Sequence, residues 1–227
     1  MTEKQEQAIR QQQIASLGRL VADFSHEMRN HLAVIQEANG LLEDILAMEG
    51  SKGSPLLVSL AETAGQIGQR VRRSADLCRY LSGMAHRSDT PLSFFAVNEL
   101  VEELAVFLER SARSRKVVVQ LDPGQGLEPI YNEPALLQHV LYQLYVFCLD
   151  LLSKGQTLVI STAQAEGGVV ISFRLVGVPK LDLAGMSETV LAALSSLGVK
   201  LERGEGAGKG DIGSSGFRLV APSLPVA

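Results

Sequence analysis

The sequence predicts an α plus α/β chain: an antiparallel helical hairpin that dimerises into a four-helix bundle, followed by a two-layer α/β sandwich. Three observations predict it. Apolar residues recur at alternating three- and four-residue steps through roughly the first ninety residues. A breaker-rich turn interrupts that rhythm once. Beyond about residue 88 the pattern changes to short strand-like runs interleaved with helices. Two domains are therefore expected, 1–88 and 89–227.

The first helix is carried by Ile14, Leu17, Val21, Phe24, Met28, His31, Ile35, Ala38, Leu42 and Ile45, a heptad seam with one polar member. A turn is expected at Glu49 to Pro55. The second helix follows through Leu57, Leu60, Ala64, Ile67, Val71, Ser74, Cys78, Leu81 and Ala85. A short turn makes the two helices antiparallel. One hairpin leaves much of its apolar stripe wet, and pairing two hairpins covers it, so a homodimer is expected. The competing arrangement is a bundle closed within one chain.

Asp89-Thr90-Pro91 reads as a linker and Leu92 to Val97 as a short strand. Asn98 is placed as the cap of a helix to about Ser114, with acidic residues early and Arg113 and Arg115 late, as the helix dipole prefers. Lys116 to Leu121 is a strand, Gly124 and Gly126 form a loop, and Asn132 precedes a long helix to about Lys154. Thr157 to Ala163 and Val169 to Val176 are strands joined at Glu166-Gly167-Gly168, a hairpin signal. A helix from Met186 to Leu197 and strands at Val199 to Glu202 and Phe217 to Ala221 complete the sandwich.

Composition narrows the function. Hydrophobic residues make up 46% and charged residues 20%, and the net charge is −4. This is a globular balance, and a mildly acidic chain is a poor general nucleic-acid binder. No apolar stretch approaches the roughly 20 residues that span a bilayer, and the N-terminus has no apolar signal core. Cys78 and Cys148 lie in apolar helical patterns without a CxxC partner, so both are expected to be reduced packing residues, in a cytoplasmic setting and without a zinc site.

The chemistry concentrates in Phe24-Ser25-His26-Glu27-Met28-Arg29-Asn30-His31-Leu32. The heptad places His26 away from the seam, and Asn30 one turn on shares its face. A neutral imidazole nitrogen can attack phosphorus in line, an adjacent carboxylate can take the proton of the other ring nitrogen, and an amide can orient water. On composition alone an ordinary exposed histidine is the stronger explanation, since such residues are common on helices. Arg29, Arg70, Arg72 and Arg73 are the candidate partner-binding cations; with Arg79, the second-helix arginines also fit a solvated face. Gly208-Lys-Gly210-Asp-Ile-Gly213 matches G-x-G-x-x-G but precedes a strand near the C-terminus, the wrong context for a dinucleotide site.

HEMRN on a heptad helix, preceded by ASLGRLVADFS, resembles the H-box of sensor histidine kinases. The hairpin then resembles their dimerisation and phosphotransfer domain. SFFAVNELVEELAVFLERSARSRKVVVQL resembles the entry to their ATP-binding domain, Asn132 to Leu152 the approach to its N-box helix, and FRLVAP its last strand. The resemblance covers nearly the whole chain. It implies a sandwich of histidine-kinase ATPase type, with His26 as phosphoacceptor and Glu27 and Asn30 as catalytic companions.

Three departures qualify it. His31 stands where the family usually has a kinking proline, at a seam position that suits packing better than a second acceptor. Gln143 and Phe147 stand where N-box asparagines hold magnesium, and Phe147 offers that hard cation no oxygen. Leu175 stands where the glycine-box aspartate reads adenine, and the stretch that would form the ATP lid is short. The chain is therefore similar to dimeric histidine phosphotransferases built on a degenerate kinase fold. The resemblance implies response-regulator receiver domains as partners, no cofactor or metal of its own, and Mg2+ supplied by the receiver. An active kinase with a divergent ATP site and a non-enzymatic dimeric adaptor are the alternatives; a phosphatase using Asn30 and water is a variant of the first reading.

Overall fold

The computed structural model describes residues 3–47, 54–87, 90–205 and 213–225. Two long helices come first, α1 (Glu3–Ala47) and α2 (Ser54–His86). They are followed by β1 (Ser93–Phe95), α3 (Val97–Arg115), β2 (Val118–Asp122), β3 (Ile130–Asn132), α4 (Pro134–Leu151), β4 (Thr157–Ala165), β5 (Gly168–Val176), α5 (Glu188–Ser196), β6 (Lys200–Glu205) and β7 (Ser214–Pro222). The turn expected at Glu49 to Pro55 lies mostly outside the described residues, as does all but the last residue of the Gly208–Gly213 motif. Among the described residues no helix is long and apolar enough to cross a membrane.

The chain separates into two compact units. One is helical, Leu20–Gly83. The other joins the residues up to Arg19 to those from Met84 onward. The start of α1 thus belongs with the α/β unit rather than with the rest of the hairpin.

In the helical unit α1 is continuous through His31, which is buried, as a seam position requires. Leu20 and Ala38 are buried as well, whereas Leu17 and Val21 are exposed, as is Ile14 earlier in the helix. On α2 the buried side is not the one the pattern suggested. Thr63, Leu77 and Met84 are buried, while Ala64, Val71, Cys78 and Ala85 are exposed. Leu60, Ile67, Ser74 and Leu81 lie between, half-buried. Two heptad stripes therefore overlap on one helix, sharing those four positions. Cys78 is exposed on the open stripe instead of packed, whereas Cys148 is buried and burial pushes its thiol up.

The α/β unit is built on a five-stranded sheet in the order β2-β4-β5-β7-β6. β2 and β4 are parallel and the other pairs antiparallel. A separate antiparallel pair, β1 with β3, stands beside it. Registers set Leu158 opposite Leu175, Ile160 opposite Phe173, and Phe173 opposite Phe217. These residues are buried in one row, and the Phe173 and Phe217 rings stack with centroids 4.9 Å apart. Residues between them on β5 and β7, such as Ser172, Arg174 and Arg218, face the wetter side. Gly216 is needed where β7 meets β5, because a side chain there would strike the carbonyl of Phe173.

Leu100, Leu104 and Leu108 of α3 and Leu137, Leu141 and Leu144 of α4 complete the core. Asn98 does not cap α3: the cap position is Ala96. Instead Asn98 donates to the Gly124 carbonyl (2.9 Å) and accepts from the Thr162 hydroxyl (2.6 Å), tying α3 to β4 through the loop after β2. Asn132 does comparable work as the last residue of β3, a strand too short for the sequence pattern to reveal. Its amide nitrogen donates to the carbonyls of Leu197 (3.1 Å) and Pro222 (3.0 Å).

Arg87, just after α2, forms a forked ion pair with Glu103 of α3, one arm at 2.8 Å, and Gln138 of α4 adds a 3.4 Å contact to the same carboxylate. Both partners are nearly buried, with side chains 12% and 8% exposed. Arg87→Ala leaves a buried unpaired carboxylate and should cost about 3–5 kcal/mol in denaturant unfolding. The Arg87→Met, Glu103→Leu double variant should lie nearer the wild type. A second prediction concerns His139 on α4. It is buried, neither ring nitrogen has a hydrogen-bond partner, and burial pushes the imidazole down from 6.5 to about 4. The unfolded chain binds the extra proton first, so stability is full above about pH 6.5 and falls as pH drops towards 4. His139→Leu should flatten that part of the acid limb, read as denaturant midpoints at pH 7 and pH 5.

Candidate functional site: an exposed histidine face

The sequence-predicted residues fall into two places, one in each unit. In the helical unit His26 is exposed in the interior of α1, where the helix fixes its neighbours. Arg29 lies one turn on, with a guanidinium nitrogen 3.4 Å from His26 Nδ1. A guanidinium only donates, so Nδ1 is the acceptor there, and a neutral ring then carries its proton on Nε2. Arg29 Nε also donates to the Ser25 carbonyl (3.3 Å), which holds the side chain along the helix. Asn30 is exposed on the His26 face, as its four-residue spacing requires. Glu27 is half-buried, and among the described residues no hydrogen bond joins it to the imidazole. Adjacent helical positions diverge by about 100°, which separates the two side chains.

The arginines of α2 are spread around their helix. Arg72 and Arg73 are exposed, and Arg70 is half-buried. Arg79 pairs with Asp76 at 3.0 Å and lies 5.0 Å from the centre of the Tyr80 ring. Among the described residues no hydrogen bond or ion pair links Arg70, Arg72 or Arg73 to His26.

The second place is on the α/β unit, where Gln143, Phe147 and Leu175 meet the positions assigned by resemblance to nucleotide and magnesium contacts. Leu175 is fully buried in β5, pointing its side chain into the core. Phe147 on α4 is half-buried, and its ring lies 3.6 Å from where a Cβ on Gly185 would stand. Gly185 belongs to the connection from Gly177 to Ser187 between β5 and α5, which at that point lies against the phenyl ring. Gln143 donates from Nε2 to Ser16 Oγ at 3.1 Å. Ser187 caps α5, accepting from the Thr189 amide at 3.3 Å. The Thr189 hydroxyl donates to Gln12 Oε1 at 2.8 Å. Gln12, Ser16, Ser187 and Thr189 were not singled out by sequence. Their partners lie 177 and 127 residues away along the chain, and no local pattern announces such pairs.

No family model matches the sequence. The sensor histidine kinase ZraS of Escherichia coli K12 is 24% identical over 172 residues, 74% of this chain and 34% of ZraS. Its counterpart in strain O157:H7 matches to the same extent. The chain thus spans about a third of the length of these curated relatives. Among solved structures, the catalytic domain of histidine kinase ThkA superposes with a TM-score of 0.50 at 14% identity, covering 59% of this chain and 97% of that domain. ThkA in complex with the response regulator TrrA gives a TM-score of 0.50 at 15% identity, over 99% of this chain and 68% of ThkA. The α/β unit thus has the fold of a histidine-kinase catalytic domain, and the sequence is similar to that of a sensor histidine kinase over 74% of this chain.

Proposed function

We propose that the chain is a histidine phosphotransferase of a two-component phosphorelay, passing phosphoryl groups between His26 and receiver-domain aspartates. The observation that carries this reading is the side-chain chemistry at three positions of the α/β unit. Leu175 is buried, Phe147 packs beside Gly185, and Gln143 is engaged by Ser16. Apolar side chains at two of these positions do not read adenine or ligate a hard cation. Phosphoryl groups would then come from a receiver, which brings its own Mg2+, and the chain would hold no cofactor. The ThkA–TrrA complex supports a response regulator as partner. Exposed Ile14, Leu17 and Val71 support a second copy of the chain as the other helices of a bundle in the cytoplasm. The ZraS likeness favours a second reading, an ATP-dependent kinase with a divergent site.

The proposed step is reversible. The receiver's aspartyl phosphate lies in line with His26. A ring nitrogen attacks phosphorus, the bond to the aspartyl oxygen breaks, and the carboxylate leaves with that electron pair. Glu27 takes the proton of the other ring nitrogen once its side chain turns from its present direction towards the imidazole, and Arg29, with whichever of Arg70, Arg72 and Arg73 lie on the docking side, meets the receiver's acidic face. Asn30 orients water when transfer to water competes. Arg29 adds a control on timing. Its contact keeps the Nδ1 lone pair occupied, and drawing the guanidinium onto phosphoryl oxygens frees Nδ1 to carry the proton and Nε2 to attack.

Two measurements check this. Labelled phospho-receiver should transfer label to the purified chain and not to His26→Gln, while labelled ATP should leave both unlabelled. Label from ATP instead moves the chain to the kinase reading, and no label from either moves it to the adaptor. In 15N-resolved spectra of the neutral imidazole, Arg29→Ala should raise the share of the Nδ1–H tautomer of His26. An unchanged share removes Arg29 from the mechanism.

A further inference from the structure

We propose that β2 is an association edge at which two copies of the chain pair antiparallel, joining their five-stranded sheets across a two-fold axis. The strand order β2-β4-β5-β7-β6 leaves two edges, β2 and β6. They are built differently. β6 carries Lys200, Glu202 and Arg203, the kind of charged guard that keeps a sheet edge from pairing. β2 reads Val118-Val119-Gln120-Leu121-Asp122, with no proline and an unbroken register against β4. Val118 is 47% exposed, Gln120 and Asp122 are exposed, and Val119 and Leu121 are half-buried. Among the described residues no strand pairs with the outer side of β2.

The ladder with β4 fixes which backbone groups are open. The Val118 amide donates to the Gln156 carbonyl at 3.0 Å, so Val118 bonds inward. Successive residues of a paired strand alternate, which turns the N–H and C=O of Val119 and Leu121 outward. Antiparallel strands exchange both bonds between facing residues, so Val119 of one copy opposite Leu121 of the other satisfies all of these groups. Gln120, the middle residue of β2, then lies opposite its own copy on the two-fold axis. Charge selects a second copy as the occupant. Lys116 stands just before β2 and Asp122 at its end, both exposed, and neither side chain has a hydrogen bond or ion pair among the described residues. In this register Lys116 of one copy lies diagonal to Asp122 of the other, and symmetry repeats the pair. Five residues a side make a small interface, so the association is weak and grows with concentration. β2 lies within the α/β unit, so this contact is separate from any pairing through the helical hairpin and does not rest on the proposed phosphotransfer.

Sedimentation equilibrium of the full chain over a concentration series tests this. At high concentration the wild type should approach about twice the mass held by Gln120→Lys, whether the smaller species is one chain or two. Gln120→Lys and Gln120→Glu each set like charges opposite one another on the axis, and each alone should stay at the lower mass. An equal mixture of the two sets opposite charges together and should regain the higher mass, which also shows that both variants are folded. Val119→Pro removes an outward N–H without taking a bond from the β2–β4 ladder and should hold the lower mass as well. One mass for the wild type, Gln120→Lys and Val119→Pro at every concentration overturns the association edge. A mixture that stays at the lower mass overturns antiparallel pairing about Gln120.

Discussion

α4 is the constraint around which the α/β unit is arranged. It is buried nearly all round, from Pro134 and Leu136 through Leu144, Tyr145 and Leu149. A helix with so little wet face has to be covered on most sides. The sheet and α3 cover one side with the Phe173, Phe217 and Leu104 layer. Glu103 reaches Gln138 on another, bringing Arg87 with it. What remains is the flank carrying Gln143 and Phe147. That flank meets Gly185 at Phe147 and Ser16 of α1 at Gln143.

The polar ties follow the same logic. Asn98 and Asn132 sit where separate backbone segments converge, donating to the carbonyls of Gly124 and of Leu197 and Pro222 respectively. Asn132 holds β3 against the last strand and the end of α5, and Asn98 holds α3 against β4. Removing either amide withdraws a donor from each of those carbonyls.

Helices and long strands were legible because periodicity is a local signal. The Thr157 and Val169 strands, the hairpin at Gly167 and the long α1 and α2 all follow from it. β3 was not legible, since three residues hold no period and their pairing with β1 is tertiary. Asn98 misled for a related reason: a capping residue type at a helix start is as well suited to bridging loops, and only the neighbours decide. His26, Arg29 and Asn30 could be read together because helical spacing places them on one surface. The Gln12–Thr189 and Ser16–Gln143 pairs could not, since side chains far apart in sequence meet only through the folded sheet.

The doubled stripe on α2 gives this helix two separable addresses. Thr63, Leu77 and Met84 are committed to burial within the chain, while Val71 and Cys78 are outward letters that can be rewritten alone. Leu60, Ile67, Ser74 and Leu81 border both stripes, so a change there reaches the packing of the hairpin, whereas a change at Val71 or Cys78 leaves that packing untouched.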